Sequence, residues 1–347
     1  MEIIYLNDGN IADYREATFY IYGAGSLGSC IGKWLSKRDI HKYRYCVDDK
    51  FLSDTVKEGG VCSWTEALEV IQTENAECIY GIGEAANFLK FEKKNEVGRV
   101  FIIYDAFEFW KFEEKISSES EYVFEHMDKY YKDELSLSTI HDYIGAILSK
   151  DGSRERKNCP SYGVYFNELV KTIQNGIYID VGAYEGETIR SFRNYYKEEH
   201  RRILALEPDD IEFGRLSECY STDSCVELKR IGAWSYDGVL RFDSGNGQRS
   251  QISKAGNDEI EVRKIDSIVE QEKVAYIKIG TFGGKNILRG ASVVIQRNRP
   301  LISVIIPYSC RDIIEVPKTI SNICNEYKFY LRHHSITSGL LVLYAVT

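Results

Sequence analysis

A chain of 347 residues, 44% hydrophobic and 28% charged, has the composition of a folded globular protein and more length than one ordinary core takes up. Its formal charge of −9 disfavours attachment to nucleic acid or to an anionic membrane surface by electrostatic attraction. Only 5 prolines and no low-complexity tract argue against long disordered linkers, and the longest apolar runs, 301–306 and 340–346, fall far short of the ~20 residues a membrane span needs.

Residues 18–22 read as a short apolar strand ending in Gly23-Ala24-Gly25-Ser26-Leu27-Gly28, with a helical pattern through Ile31, Trp34 and Leu35 behind it. A second strand, 43–47, ends in Asp48-Asp49. A helix over 64–71 leads to a strand that closes on Gly81-Ile82-Gly83, and 100–104 forms another. Strands alternating with helices across glycine-bearing turns predict a parallel, doubly wound unit. From 108 to 148 the apolar spacing turns helical, and the polar stretch 151–160 breaks it. The alternation then restarts. Strands at 177–181, 203–206 and 226–229 enclose helices at 187–196 and 211–219. An antiparallel insertion spans 239–262. A strand at 274–279, a helix at 286–293, a strand at 301–306 and a hairpin of 327–332 with 340–346 follow. The expected architecture is α/β: a Rossmann-like domain over 1–110, a helical connector over 111–165, and a second doubly wound domain over 166–347.

Nine scattered cysteines without a CxxC or Cys/His cluster give no reason to expect a zinc or other metal site and suit reduced thiols. The N-terminus lacks a basic region followed by an apolar stretch, so a cytoplasmic setting is expected. The aromatic clusters Phe107-Glu108-Phe109-Trp110 and Tyr195-Tyr196 read as helix faces turned to a core.

Two turns are candidates for chemistry. In Asp180-Val181-Gly182-Ala183-Tyr184-Glu185-Gly186, an acid and two glycines follow a first strand, where the backbone must bend sharply and a ligand comes close. Glu207, closing the next strand, stands where ribose hydroxyls would donate to it. The other turn, Gly23-x-Gly25-x-x-Gly28, sits between strand and helix with Asp48 after the following strand, which is the context of a dinucleotide fingerprint. NAD or a nucleotide-sugar is therefore an expectation there, alongside the plainer reading that these glycines let helix and sheet pack closely.

The runs Ile179-Asp180-Val181-Gly182-Ala183, Ala205-Leu206-Glu207-Pro208, Gly232-Ala233-Trp234-Ser235, Ser250-Gln251-Ile252, Lys264-Ile265-Asp266-Ser267 and Leu331-Arg332-His333-His334 resemble, in order and spacing, the FkbM family of S-adenosylmethionine-dependent methyltransferases. The likeness covers residues 166–347. It implies a class I methyltransferase-like fold and methyl transfer to a hydroxyl oxygen of a sugar or related small-molecule acceptor. By that resemblance Asp180, Gly182, Ala183 and Gly186 border the cofactor, Glu207 holds its ribose, and Ala233 and Trp234 lie near adenine. One stretch departs. Where similar proteins carry Asp-x-Glu-Gly-Ala-Glu after the fourth strand, this chain has Gly280-Thr281-Phe282-Gly283-Gly284-Lys285. A hydroxyl is a poor nucleophile until its proton is accepted, and a general base adds ~10²–10⁴-fold. Loss of those acids leaves His333, His334 and Asp266 as candidate catalytic groups. It also raises the alternative of a binding protein that keeps a cofactor cleft without turnover.

Overall fold

The computed structural model describes the chain apart from residues 75, 95–96, 107, 109–112, 155, 157–162, 245–250, 253–255, 257 and 307–308. Phe107, Phe109, Trp110, Cys159 and Ser250 thus lie outside the described residues. The chain divides into two compact units, one of Met1–Ser117, Ser138–Ser161 and His333–Leu340, the other of Ser118–Leu137, Tyr162–Arg332 and Leu341–Thr347.

The first unit contains β1 (Glu2–Tyr5), β2 (Phe19–Tyr22), α1 (Ser26–Ser36), β3 (Tyr43–Val47), α2 (Asp54–Glu58), β4 (Cys62–Ser63), α3 (Trp64–Thr73), β5 (Glu77–Tyr80), α4 (Ala85–Lys94) and β6 (Arg99–Ile102). Its strands form a parallel sheet in the order β1-β6-β5-β2-β3-β4. β2 and β5 are buried along their whole length, as strands covered on both faces are, and apart from Glu77 they are apolar or aromatic throughout. α1 lays Leu27, Cys30, Ile31, Trp34 and Leu35 against Phe19, Ile21, Ile79 and Phe101 of the sheet. A capping box, Ser63 with Glu66, starts α3. The chain runs outward from β2 to β4 and returns on the other side at β5, so the strand order reverses between β2 and β5. The edge strand β1 was beyond the sequence pattern: four residues with one buried side chain give no period to read.

α5 (Glu113–Tyr130) and α6 (Glu134–Ser149) fill the predicted helical stretch. The second unit continues with β7 (Ile177–Val181), α7 (Glu187–Tyr196), β8 (Ile203–Leu206), α8 (Asp210–Tyr220), β9 (Val226–Lys229), β10 (Gly232–Ala233), β11 (Gly238–Asp243), β12 (Gln251–Ile252), β13 (Asp258–Arg263), α9 (Ile265–Val269), β14 (Val274–Ile279), α10 (Gly284–Arg289), α11 (Ser292–Asn298), β15 (Leu301–Ile305), α12 (Asp312–Ile323), β16 (Lys328–His333) and β17 (Leu341–Val346). Seven strands are ordered β16-β17-β15-β14-β7-β8-β9, parallel from β15 to β9 and antiparallel between β15 and β17. The insertion forms a separate sheet, β10-β13-β11-β12. Under β7 the core is aromatic: Tyr178 stacks on Phe192 of α7 at 4.3 Å, and Phe166 meets Tyr178, Phe192 and Tyr276 edge-on.

Two features depart from the sequence expectation. The single helix over 286–293 is two, α10 and α11, broken at Gly290, where an added Cβ would lie 1.9 Å from the carbonyl oxygen of Trp234. α12 was hidden by Pro317 in its interior, which removes a hydrogen bond to the carbonyl of Ile313. The buried Tyr131 hydroxyl donates to that carbonyl at 2.6 Å instead. Among the described residues, no helix is long and apolar enough to cross a membrane.

Candidate functional site

In the seven-stranded sheet the chain passes from β7 outward to β9 and returns on the other side at β14, so the reversal of strand order falls between β7 and β14. Open α/β sheets bind ligands at the carboxyl ends of the strands at such a point. Asp180 on β7 and Gly182 just after it, Glu207 after β8, Lys278 on β14 and Gly280 just after it meet there.

Gly182 (φ +71) and Gly186 (φ +87) both hold left-handed backbone. A Cβ on Gly182 would stand 3.1 Å from Thr281 Cβ, and one on Gly186 would stand 2.3 Å from the Tyr220 ring. The first glycine thus keeps β7 close to the loop after β14, and the second lets α7 begin against α8. The Gly182 and Ala183 amides donate to the Leu206 carbonyl at 3.0 and 3.1 Å, and the Tyr220 hydroxyl donates to the Gly186 carbonyl at 3.0 Å.

Glu207 is 7% exposed, and its carboxylate is turned to the β7 turn. Its Oε2 accepts the Tyr184 amide and its Oε1 the Asp209 amide, each at 3.0 Å. Burial pushes this acid above the usual carboxylate range, although the two amides and Lys278 pull the other way. A carboxylate offers about four lone-pair positions, so roughly two remain for a ligand.

Asp180 is fully buried and accepts the Thr188 hydroxyl on Oδ2. The Lys278 ammonium lies 2.8 Å from its Oδ1 and donates to the Gly182 carbonyl at 2.7 Å. Burial by itself would lower this lysine, but Asp180, Tyr165 and Glu207 outweigh it and hold the ammonium above its ordinary value. The sequence reading missed Lys278. A lone lysine inside Val-Ala-Tyr-Ile-Lys-Ile, a run buried at every position, was the available signal, because lysine is seldom buried unless paired.

Of the other predicted residues, Trp234 lies against the loop after β14, Asp266 serves α11, and His333 and His334 belong to the first unit. Ala233 is buried in β10, and the half-buried Trp234 donates its backbone N–H to Arg263 at 2.8 Å. The Trp234 indole lies on the loop after β14: an added Cβ on Gly283 would stand 2.4 Å from it. Asp266 accepts the Val293 and Val294 amides at 3.1 and 2.9 Å, which makes it the N-terminal cap of α11. Lys285 pairs with Asp312 at 2.6 Å.

His333 and His334 belong to the first unit and are 2% exposed. His333 Nε2 lies 2.6 Å from the Gly339 carbonyl, and its ring meets Tyr143 edge-on at 5.2 Å. In the same unit, Gly28 is explained by packing, since an added Cβ would stand 1.9 Å from the Gly23 carbonyl oxygen, whereas Gly25 faces open space. Asp48 accepts the Tyr22 hydroxyl at 2.6 Å.

No family model matches the chain, and no curated protein matches it. Among solved structures, the methyltransferase FkbM from Methylobacillus flagellatus KT is similar over 97% of this chain and 92% of its own, at 15% identity and a TM-score of 0.59. A putative rRNA-methylase from Clostridium thermocellum is similar over 52% of this chain and 93% of its own, at 9% identity and a TM-score of 0.34. The precorrin-6y C5,15-methyltransferase from Geobacter metallireducens GS-15 is similar over 51% and 84%, at 10% identity and a TM-score of 0.32. With the first likeness and the strand order, the chain is α/β with Rossmann-like units, and the second unit has a class I methyltransferase-like fold.

Proposed function

We propose that this chain is an S-adenosylmethionine-dependent O-methyltransferase that acts on a hydroxyl of a glycan or a related small metabolite. The observation that carries the reading is Glu207, a buried carboxylate one strand from the Gly182 bend, facing that bend with acceptor capacity to spare. The residues fit the cofactor: Gly182 bends the end of β7 sharply against the loop after β14, and Glu207, facing that bend, is placed to take ribose hydroxyls. The bound cofactor would supply an electrophilic methyl group on a sulfonium. The chain's part is to hold and orient it, and alignment accounts for much of the rate of such a transfer. Calorimetry with S-adenosylmethionine and S-adenosylhomocysteine tests the reading: saturable heat from both is expected, and none from either with folded protein would end it.

A second reading, a methyltransferase-like binding protein without turnover, is favoured by Gly280, Phe282 and Lys285, which leave no acid in the loop after β14 at those positions. Methylation of a sugar acceptor by the purified chain at an ordinary enzymatic rate would remove it. A third reading, NAD or a nucleotide-sugar at Gly23, Gly25 and Gly28, rests only on the turn's position at the reversal of the first sheet. Unchanged melting of the chain with every dinucleotide would leave that reading without a basis.

A further inference from the structure

We infer that Lys278 is the positioning residue of the cofactor crevice, and that position 280 is glycine because the lysine's path requires it. The inference deepens the cofactor reading above and rests on it.

β14 pairs with β7 so that Lys278 stands opposite Asp180. From there the side chain reaches the end of its own strand, where the ammonium meets Asp180 Oδ1 and the Gly182 carbonyl. That carbonyl belongs to the left-handed residue of the turn. The next amides, of Ala183 and Tyr184, are the ones given to Leu206 and to Glu207. One buried cation therefore joins the ends of β7 and β14 and sets the peptide orientation from which the Glu207 contact follows. A buried ion pair is weak ground for stability, since apolar residues of similar volume often replace one without loss. Here the pair holds a strained turn at the ligand edge, which an apolar side chain would not do.

Gly280 completes the arrangement. An added Cβ there would stand 2.5 Å from both Cε and Nζ of Lys278. The end of an exposed lysine would swing aside. This one is 3% exposed and ion-paired, so a side chain at 280 would crowd the ammonium against Asp180 and Gly182. The glycine at a position where similar proteins carry an acid is thus space used by Lys278.

The test uses the full chain in four forms: wild type, Lys278→Met, Lys278→Ala and Gly280→Ala. Hydrogen exchange is read at the amides of Gly182, Ala183 and Tyr184, with those of β15 as reference. We expect exchange at 182–184 to quicken about tenfold or more in both variants, the equilibrium worth of one hydrogen bond to a charged group, with β15 within about twofold. S-adenosylhomocysteine should bind about tenfold or more weakly to both. In Lys278→Ala, butylammonium should restore protection at 182–184 and 1-butanol should not, a distinction that loss of packing alone would not produce. Unchanged exchange at 182–184 in Gly280→Ala, which keeps both charges and decides the matter if Lys278→Met fails to fold, overturns the inference. Equal rescue by butanol overturns it as well. Failure of the wild type to take S-adenosylhomocysteine sinks the cofactor reading, and the exchange and rescue measurements then decide Lys278 by themselves.

Discussion

Glutamine at position 207 separates what Glu207 does for the fold from what it does for a ligand. The carboxylate accepts two amides, from Tyr184 and Asp209, at 3.0 Å each, in a side chain that is 7% exposed. Glutamine keeps one oxygen and turns an NH₂ toward the other amide, so one buried donor is left unmet at a cost of about 1–3 kcal/mol. For a unit of this size that lowers the melting temperature by roughly 2–10 °C. A hydroxyl hydrogen bond to a carboxylate contributes about 1.5–3 kcal/mol, so Glu207→Gln should bind S-adenosylhomocysteine about 10–150-fold more weakly. The pH dependence gives an independent check. Burial raises this acid above its unfolded value, so the folded chain holds the proton to a higher pH than the unfolded chain does. Stability attributable to Glu207 is thus fully present below the unfolded value of ~4.3 and falls as pH rises from there through the raised folded value. Ligand affinity runs the opposite way, growing over the same window as the carboxylate forms, and Glu207→Gln should flatten both trends. Calorimetry between pH 4.5 and 8, well below the melting temperature, reads the affinity. If folded Glu207→Gln binds within about twofold of wild type at pH 7.5, Glu207 does not grip a ribose and the argument from it is wrong.

The first sheet predicts a sharp contrast between neighbouring glycines. Gly28→Ala, with its Cβ 1.9 Å from the Gly23 carbonyl oxygen, should destabilise the first unit by about 1–3 kcal/mol or more, while Gly25→Ala at the start of α1 should cost under about 1 kcal/mol; thermal unfolding of the two variants compares them, and equal losses refute the packing account. Asp266→Ala should lower stability by about 0.5–2 kcal/mol through the α11 cap and leave S-adenosylhomocysteine affinity unchanged, whereas loss of binding without loss of stability would return Asp266 to the site. Tyr131→Phe should cost about 1–3 kcal/mol in denaturant unfolding, because Pro317 cannot donate to the Ile313 carbonyl that the hydroxyl serves; a neutral result would mean water takes its place.

The turn at Gly182 and the acid at Glu207 were legible because both are strand-end features: a glycine the backbone needs and a carboxylate one strand over, each announced by its neighbours in the chain. Lys278 was not, since its meaning lies in register. Only the pairing of β14 with β7 sets it opposite Asp180, and a parallel pair so distant in sequence leaves no local trace. Asp266 reads from the sequence as a candidate catalytic group, and its role at the start of α11 depends on α10 and α11 being two helices, which Gly290 decides through a contact with Trp234. His333 and His334 read as strand residues of the last hairpin, yet chain order gave no hint that they and the residues up to Leu340 belong to the compact unit formed largely by the first 117 residues. The helix carrying Pro317 was masked for the opposite reason, a breaker tolerated because Tyr131 repairs the bond it removes.

The loop after β14 bears most on what the site does. Two of its residues, Gly280 and Lys285, are built into this chain's own packing. Gly280 makes room for a buried ammonium, and Lys285 is tied to Asp312 at 2.6 Å. Between them Gly283, in left-handed backbone at φ +85, lies under the Trp234 indole. The changes at 280 and 285 thus each have a neighbour that uses them, the Lys278 ammonium and the Asp312 carboxylate. Residues 280–285 contain no acid that could take a proton from a hydroxyl, and a general base is worth ~10²–10⁴-fold. On the cofactor reading proposed above, turnover would be slow unless the acceptor's hydroxyl is acidified by its own neighbours.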